Sequence, residues 1–152
     1  MKVPLFDIRI GAQERRAVDD VLRSGWLTMG PRTAEFEESF AEHLGVAHAI
    51  AVSSGTAALH LAFLGAGIGP GDEVIVPAMT FVATANAVRY CGGTPVFADI
   101  CGVKDFGIDP ESVARSITPR TKAVCAVHYA GYAASVEALA ALCAEHGLAL
   151  IE

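Results

Sequence analysis

Gly71-Asp72-Glu73-Val74-Ile75-Val76-Pro77-Ala78-Met79-Thr80-Phe81-Val82-Ala83-Thr84-Ala85-Asn86 carries the reading of the fold. Its short apolar run, Glu73 to Val76, has the length and β-branched content of a buried strand, and Pro77 punctuates it. Helical spacing follows from about Phe81. The same unit recurs on either side. Upstream, Ala49-Ile50-Ala51-Val52 precedes a helix from about Thr56. Downstream come Pro95-Val96-Phe97, a helix opened by Asp109-Pro110, Ala123-Val124-Cys125-Ala126-Val127, a helix after Ser135, and Leu148-Ala149-Leu150-Ile151. Strands and helices in strict alternation predict an α/β fold, a mostly parallel sheet with helices on its faces. Asp109 is a good N-cap with Pro110 at the first helical position, Ser135 can cap the last helix, and Gly147 can close it. Before this pattern, Ala17, Val18, Val21 and Leu22 mark one amphipathic helix ending at Gly25, and Phe36, Phe40 and Leu44 mark a second ending at Gly45.

Composition narrows the function. The 152 residues are 53% hydrophobic and 18% charged, against typical values of about 45–50% and about 25%. Part of this apolar surface is therefore expected to meet another chain or another segment. A net charge of −6 argues against nucleic acid or an anionic membrane as partner. Val74 to Val88, the longest uncharged stretch, falls short of the ~20 apolar residues that span a bilayer. The segment Met1 to Asp7 lacks the order of a secretory signal, so a cytoplasmic protein is expected. Cys91, Cys101, Cys125 and Cys143 have no metal-ligand spacing and read as reduced thiols.

In open α/β sheets, ligands sit beyond the carboxyl ends of parallel strands. That rule selects Ser53 to Thr56, Pro77 to Phe81, Asp99 and His128 to Gly131. Ser53-Ser54-Gly55-Thr56 joins a strand to a helix and offers hydroxyls, a glycine and free amides at a positive helix end. It fits a phosphate site ahead of an ordinary N-cap, because an anion needs no more than this helix end provides. Phe81 can lie against a planar cofactor ring or belong to the core. His128 can carry a proton, contact a ligand, or simply pack through hydrogen bonds. Gly65-Ala66-Gly67-Ile68-Gly69-Pro70-Gly71 follows a helix and precedes a strand, the reverse of a dinucleotide fingerprint, and reads as a helix stop and turn. A nucleotide-binding oxidoreductase with a degenerate glycine loop is accordingly the weakest functional alternative.

Five segments, Ser24 to Pro31, Ala51 to Leu59, Gly71 to Asn86, Thr118 to Val124 and Val127 to Gly131, resemble in this order the pyridoxal-phosphate-dependent sugar aminotransferases, fold type I of the aspartate aminotransferase superfamily. The resemblance implies that the Gly55-Thr56 turn holds the phosphate of pyridoxal 5'-phosphate and that Phe81 stacks on its ring. It implies that Trp26, Thr28 and His128 lie on the substrate side, and that the Trp26 to Met29 loop borders the sugar-nucleotide pocket near a homodimer interface. Residues 1–45 would then be a helical segment bearing that loop, and 46–152 an incomplete major domain. The implied reaction moves an amino group, usually from glutamate, to a nucleotide-linked ketosugar.

The same resemblance implies less than half of a complete family member, stopping after the fifth strand. The family continues past Glu152 with an aspartate for the pyridinium nitrogen and, later, the Schiff-base lysine. Neither Lys2, Lys104 nor Lys122 occupies a matching position, so the chain is expected to be inactive alone. Glu152 itself should point to the opposite face by strand alternation. The superfamily's sheet order, 3-2-4-5-6-7-1, leaves the strand at Ala49 to Val52 without a neighbour in this chain. Aggregation, swapping or dimerisation are the expected results. A non-catalytic module that binds phosphate or a partner is the alternative function.

Overall fold

Glycine closes both amino-terminal helices. In a computed structural model, which describes residues 7–152, α1 (Ala12–Ser24) ends on Gly25 and α2 (Pro31–Leu44) on Gly45, at φ 70° and 67°. That left-handed conformation suits a residue without Cβ. The leader reading of Met1 to Asp7 falls, up to Phe6, outside the described residues, as does Lys2. Two compact units make up the chain, the first ending at Ala51 and the second starting at Val52. In the first unit the apolar stripes stay largely uncovered: Val18, Leu22, Phe36 and Phe40 are exposed, and Ala41 is the buried residue of its two helices.

The second unit runs α3 (Gly55–Gly65), β1 (Glu73–Pro77), α4 (Ala83–Tyr90), β2 (Thr94–Ala98), β3 (Ile100–Gly102), β4 (Asp105–Ile108), α5 (Pro110–Ser116), β5 (Thr121–Cys125), α6 (Val136–His146) and β6 (Ala149–Ile151). Its main sheet has the order β2-β1-β5-β6, all parallel. Numbered from the strand expected at Ala49, this is 3-2-4-5, the order anticipated for that part of the sheet. Period-two alternation places Val74 and Val76 on one face with Phe63, Ala87 and Val88. It places Ile75 on the other with Val124, Ile108, Val113 and Leu139. Each such side chain, fully buried, stabilises the fold by about 1.5–3 kcal/mol. No helix among the described residues is long and apolar enough to cross a membrane.

Four expectations change. Ala49 to Val52 forms no strand: a strand exists only through a hydrogen-bonded neighbour, and here the Ala51 amide donates instead to Glu37 Oε1 at 2.7 Å while Ile50 stays 78% exposed. In place of a fifth parallel strand, the chain adds the antiparallel hairpin β3–β4, closed around Val103 and Lys104. Ser135 occupies the N-cap of α6 without donating or accepting a side-chain capping bond, whereas Asp109 accepts from the Glu111 and Ser112 amides, each at 3.1 Å. Helix α4 also starts at Ala83, leaving Phe81 in the loop.

Candidate functional site

The turn that opens α3 spends a hydroxyl on capping and keeps the helix's first amides. Ser54, extended at φ −166°, accepts the Ala57 amide on its Oγ at 3.2 Å and caps α3. The Gly55 and Thr56 amides, the first two of the helix, have no acceptor among the described residues. They stand where the helix dipole is positive, so they favour an anion. A Cβ built on Gly55 meets nothing within 4 Å, which leaves room for a ligand to approach the backbone.

These residues line a cavity of about 540 Å³ with Phe81, Thr84, Ile151 and Glu152. Gly55, Thr56 and Phe81, expected separately from the sequence, are thus brought together. Phe81 is 75% exposed, so a face of its ring is free. Thr84 is held by a hydroxyl–hydroxyl bond with Thr80 at 2.8 Å. An open ring face beside unpartnered helical amides is the donor set that a phosphorylated aromatic cofactor requires, and pyridoxal phosphate fits it. Among the described residues no lysine or arginine lines the cavity; Glu152 is its one charged residue. Lys122 lies next to the amino end of β5, away from the strand ends that face the cavity.

His128 follows β5 and is engaged at both ring nitrogens. Its Nδ1 accepts the Ala134 amide at 3.1 Å, and its Nε2 lies 3.0 Å from Glu152 Oε2. A backbone amide can only donate, so Nδ1 carries the lone pair and the proton sits on Nε2, directed at the carboxylate. Glu152 is the site residue the sequence reading set aside. Its carboxylate reaches His128, which bonds Ala134 of the Ile75-face core, while Ile151 packs on the other core, as strand alternation leads one to expect. The available signal was that Glu152 directly follows a strand's carboxyl end, the region where ligands sit.

Trp26 and Thr28 line a separate cavity of about 380 Å³ within the amino-terminal unit, with Asp20 and Arg32. The Trp26 indole donates to the Met29 carbonyl at 2.9 Å and is 57% exposed.

The amino ends of the strands carry a different cluster. Glu73, almost buried, accepts from the Thr118 hydroxyl and from the Arg120 guanidinium, whose Nε lies at 2.9 Å. The Thr118 and Arg120 bonds hold its carboxyl below the usual carboxylate range, against the opposing effect of burial. This is a structural tie, remote from the cavity.

The model of the DegT/DnrJ/EryC1/StrS aminotransferase family matches residues 8–152. The spore coat polysaccharide biosynthesis protein SpsC of Bacillus subtilis (strain 168) is 48% identical over 143 residues, which are 94% of this chain and 36% of SpsC. Among solved structures, DesV of S. venezuelae is 43% identical with a TM-score of 0.87, over 91% of this chain and 37% of DesV. NtdA of Bacillus subtilis, with bound cofactor PMP, is 35% identical with a TM-score of 0.84, over 90% of this chain and 31% of NtdA. The chain therefore spans about a third of the length of these relatives, and its fold is the corresponding part of a fold-type-I aminotransferase. The chain belongs to the DegT/DnrJ/EryC1/StrS aminotransferase family.

Proposed function

We propose that this chain is the amino-terminal part of a pyridoxal-phosphate-dependent aminotransferase that transfers an amino group from glutamate to a nucleotide-linked ketosugar, as a cytoplasmic homodimer. The observation that carries the reading is the cavity that joins the unpartnered Gly55 and Thr56 amides to the exposed Phe81 ring. In this reading the two amides hold the cofactor phosphate and Phe81 fixes the ring by stacking. When bound, the cofactor supplies an electron sink for amino transfer. Trp26 and Thr28 contact the sugar nucleotide, and the open indole face suits a nucleobase or sugar ring. His128 bears on the substrate side through Glu152, since both of its nitrogens are already bonded.

Neither Lys104 nor Lys122 lines the cavity, so the chain alone is proposed to bind the cofactor non-covalently and to transfer nothing. The same observation favours a second reading, a non-catalytic phosphate-binding module.

One set of measurements separates the two. The chain should take up pyridoxal phosphate in equilibrium dialysis, give no borohydride-fixed adduct, and release no 2-oxoglutarate from glutamate. A version extended to the relatives' length should release 2-oxoglutarate when supplied with a nucleotide-linked ketosugar. Cofactor uptake without turnover in the extended protein supports the module; no uptake by either overturns the cofactor site.

A further inference from the structure

Phe81 and its neighbour Val82 are both exposed, so little packs against the ring to hold it. They lie in the loop between β1, which ends at Pro77, and α4, which begins at Ala83. The backbone of that loop therefore has to place the ring. On the strand side the Ala78 amide donates to the Ala98 carbonyl at 2.8 Å, and on the helix side the Thr84 amide donates to the Phe81 carbonyl at 3.1 Å. One further tie crosses the loop: the Thr80 and Thr84 hydroxyls bond each other at 2.8 Å. Thr84 is 3% exposed and set in α4, whereas Thr80 is half-buried. A buried hydroxyl left without a partner costs free energy, so Thr84 draws Thr80, the residue next to Phe81, against the helix. We infer that Thr80 and Thr84 are positioning residues for Phe81, acting through their hydroxyl pair to hold the ring where it stacks on the cofactor.

This role rests on the cofactor reading above and adds a demand of its own. A loop ordered before binding spares the ligand the cost of ordering it. Loss of the pair should therefore weaken the ring contact and spare the Gly55 and Thr56 amides, which belong to α3. It should matter only while the Phe81 ring is present.

The test uses the chain, its Thr84→Val, Thr80→Val, Thr84→Ser and Phe81→Ala variants, and the Thr80→Val/Thr84→Val and Phe81→Ala/Thr84→Val double variants. Dissociation constants are measured for pyridoxal phosphate and for inorganic phosphate, which probes the amides without a ring. Thr84→Val and Thr80→Val should each weaken pyridoxal phosphate about fivefold and leave inorganic phosphate unchanged. Together they should cost no more than either alone, since each removes the same bond. Thr84→Ser keeps the hydroxyl and should stay within about twofold of the parent. In Phe81→Ala, which binds pyridoxal phosphate more weakly, adding Thr84→Val should change nothing further.

Unchanged pyridoxal phosphate affinity in Thr84→Val overturns the inference. So does an equal loss for inorganic phosphate, which would mean general damage to the fold, and so does a loss in Thr84→Val that Thr80→Val lacks, which would mean that Thr84 touches the ligand itself. A loss that persists on the Phe81→Ala background overturns it too. In each of these cases the parent chain still binds the cofactor and the functional reading stands. Parent-like binding by Phe81→Ala removes the ring contact from that reading and this role with it. A parent chain that takes up no pyridoxal phosphate overturns both.

Discussion

At the scale of single residues, Gly30 shows how a small side chain fixes a large one. A Cβ there would lie 2.3 Å from Trp26 Nε1 and 2.5 Å from its Cδ1, so the indole occupies the space an alanine needs. Gly30 is extended, with φ −165°, so contact and not backbone strain excludes other residues. Gly30→Ala should push the indole off its bond to the Met29 carbonyl. Because Trp26 is the one tryptophan, its emission should shift to the red and its acrylamide quenching rise, with stability changed by less than about 1 kcal/mol at so exposed a site. Thiol reactivity is a second residue-level outcome. Burial pushes the Cys125 thiol up to about 12, and Cys91 and Cys143 are also buried whereas Cys101 is exposed. Ellman's reagent should modify one thiol in the native chain and the remaining three only on unfolding, because the thiolate is the nucleophile.

Between elements, the tie from Glu73 to Thr118 and Arg120 fastens the start of β1 to the turn before β5. The folded pKa of Glu73 lies below its ordinary 4.5. The stability it contributes is therefore complete above that value and lost as pH falls through the lower folded one. Glu73→Gln should cost about 1 kcal/mol at neutral pH and flatten the acid limb of melting temperature against pH. An unchanged acid limb would count against the tie. Helix ends and strand faces at this scale were legible because their causes lie within a few residues. Asp109 caps α5 through amides two and three positions on, and Val74, Ile75 and Val76 alternate between the two cores. Hairpin β3–β4 was not legible. Its strands hold Gly102 and Gly107, it exposes Val103, and Ile108, the side chain it buries in the core, is too little to set an apolar period.

For the whole chain, the excess apolar composition reappears as exposed side chains. Ile10, Val18, Leu22, Phe36, Phe40 and Leu44 of the first unit, and Leu61, Leu64 and Phe97 of the second, are all solvent-facing. Strands β2 and β6 are both edges of their sheet. Such surface drives association, so sedimentation velocity at micromolar concentration should show dimers or larger species. A stable monomer that binds no hydrophobic dye would contradict this. The parallel α/β layering, helix boundaries such as Gly25, Gly45 and Gly147, and the candidates Gly55, Thr56 and Phe81 followed from the sequence by itself, since caps, turns and hydrophobic periods act between near neighbours. Only the tertiary structure decided that Ala49 to Val52 stays unpaired, that Phe81 and the α3 amides share one cavity, and that His128 meets Glu152. That last pair is 24 residues apart in the chain, and proximity across such a separation is created by strand pairing, which no local pattern encodes.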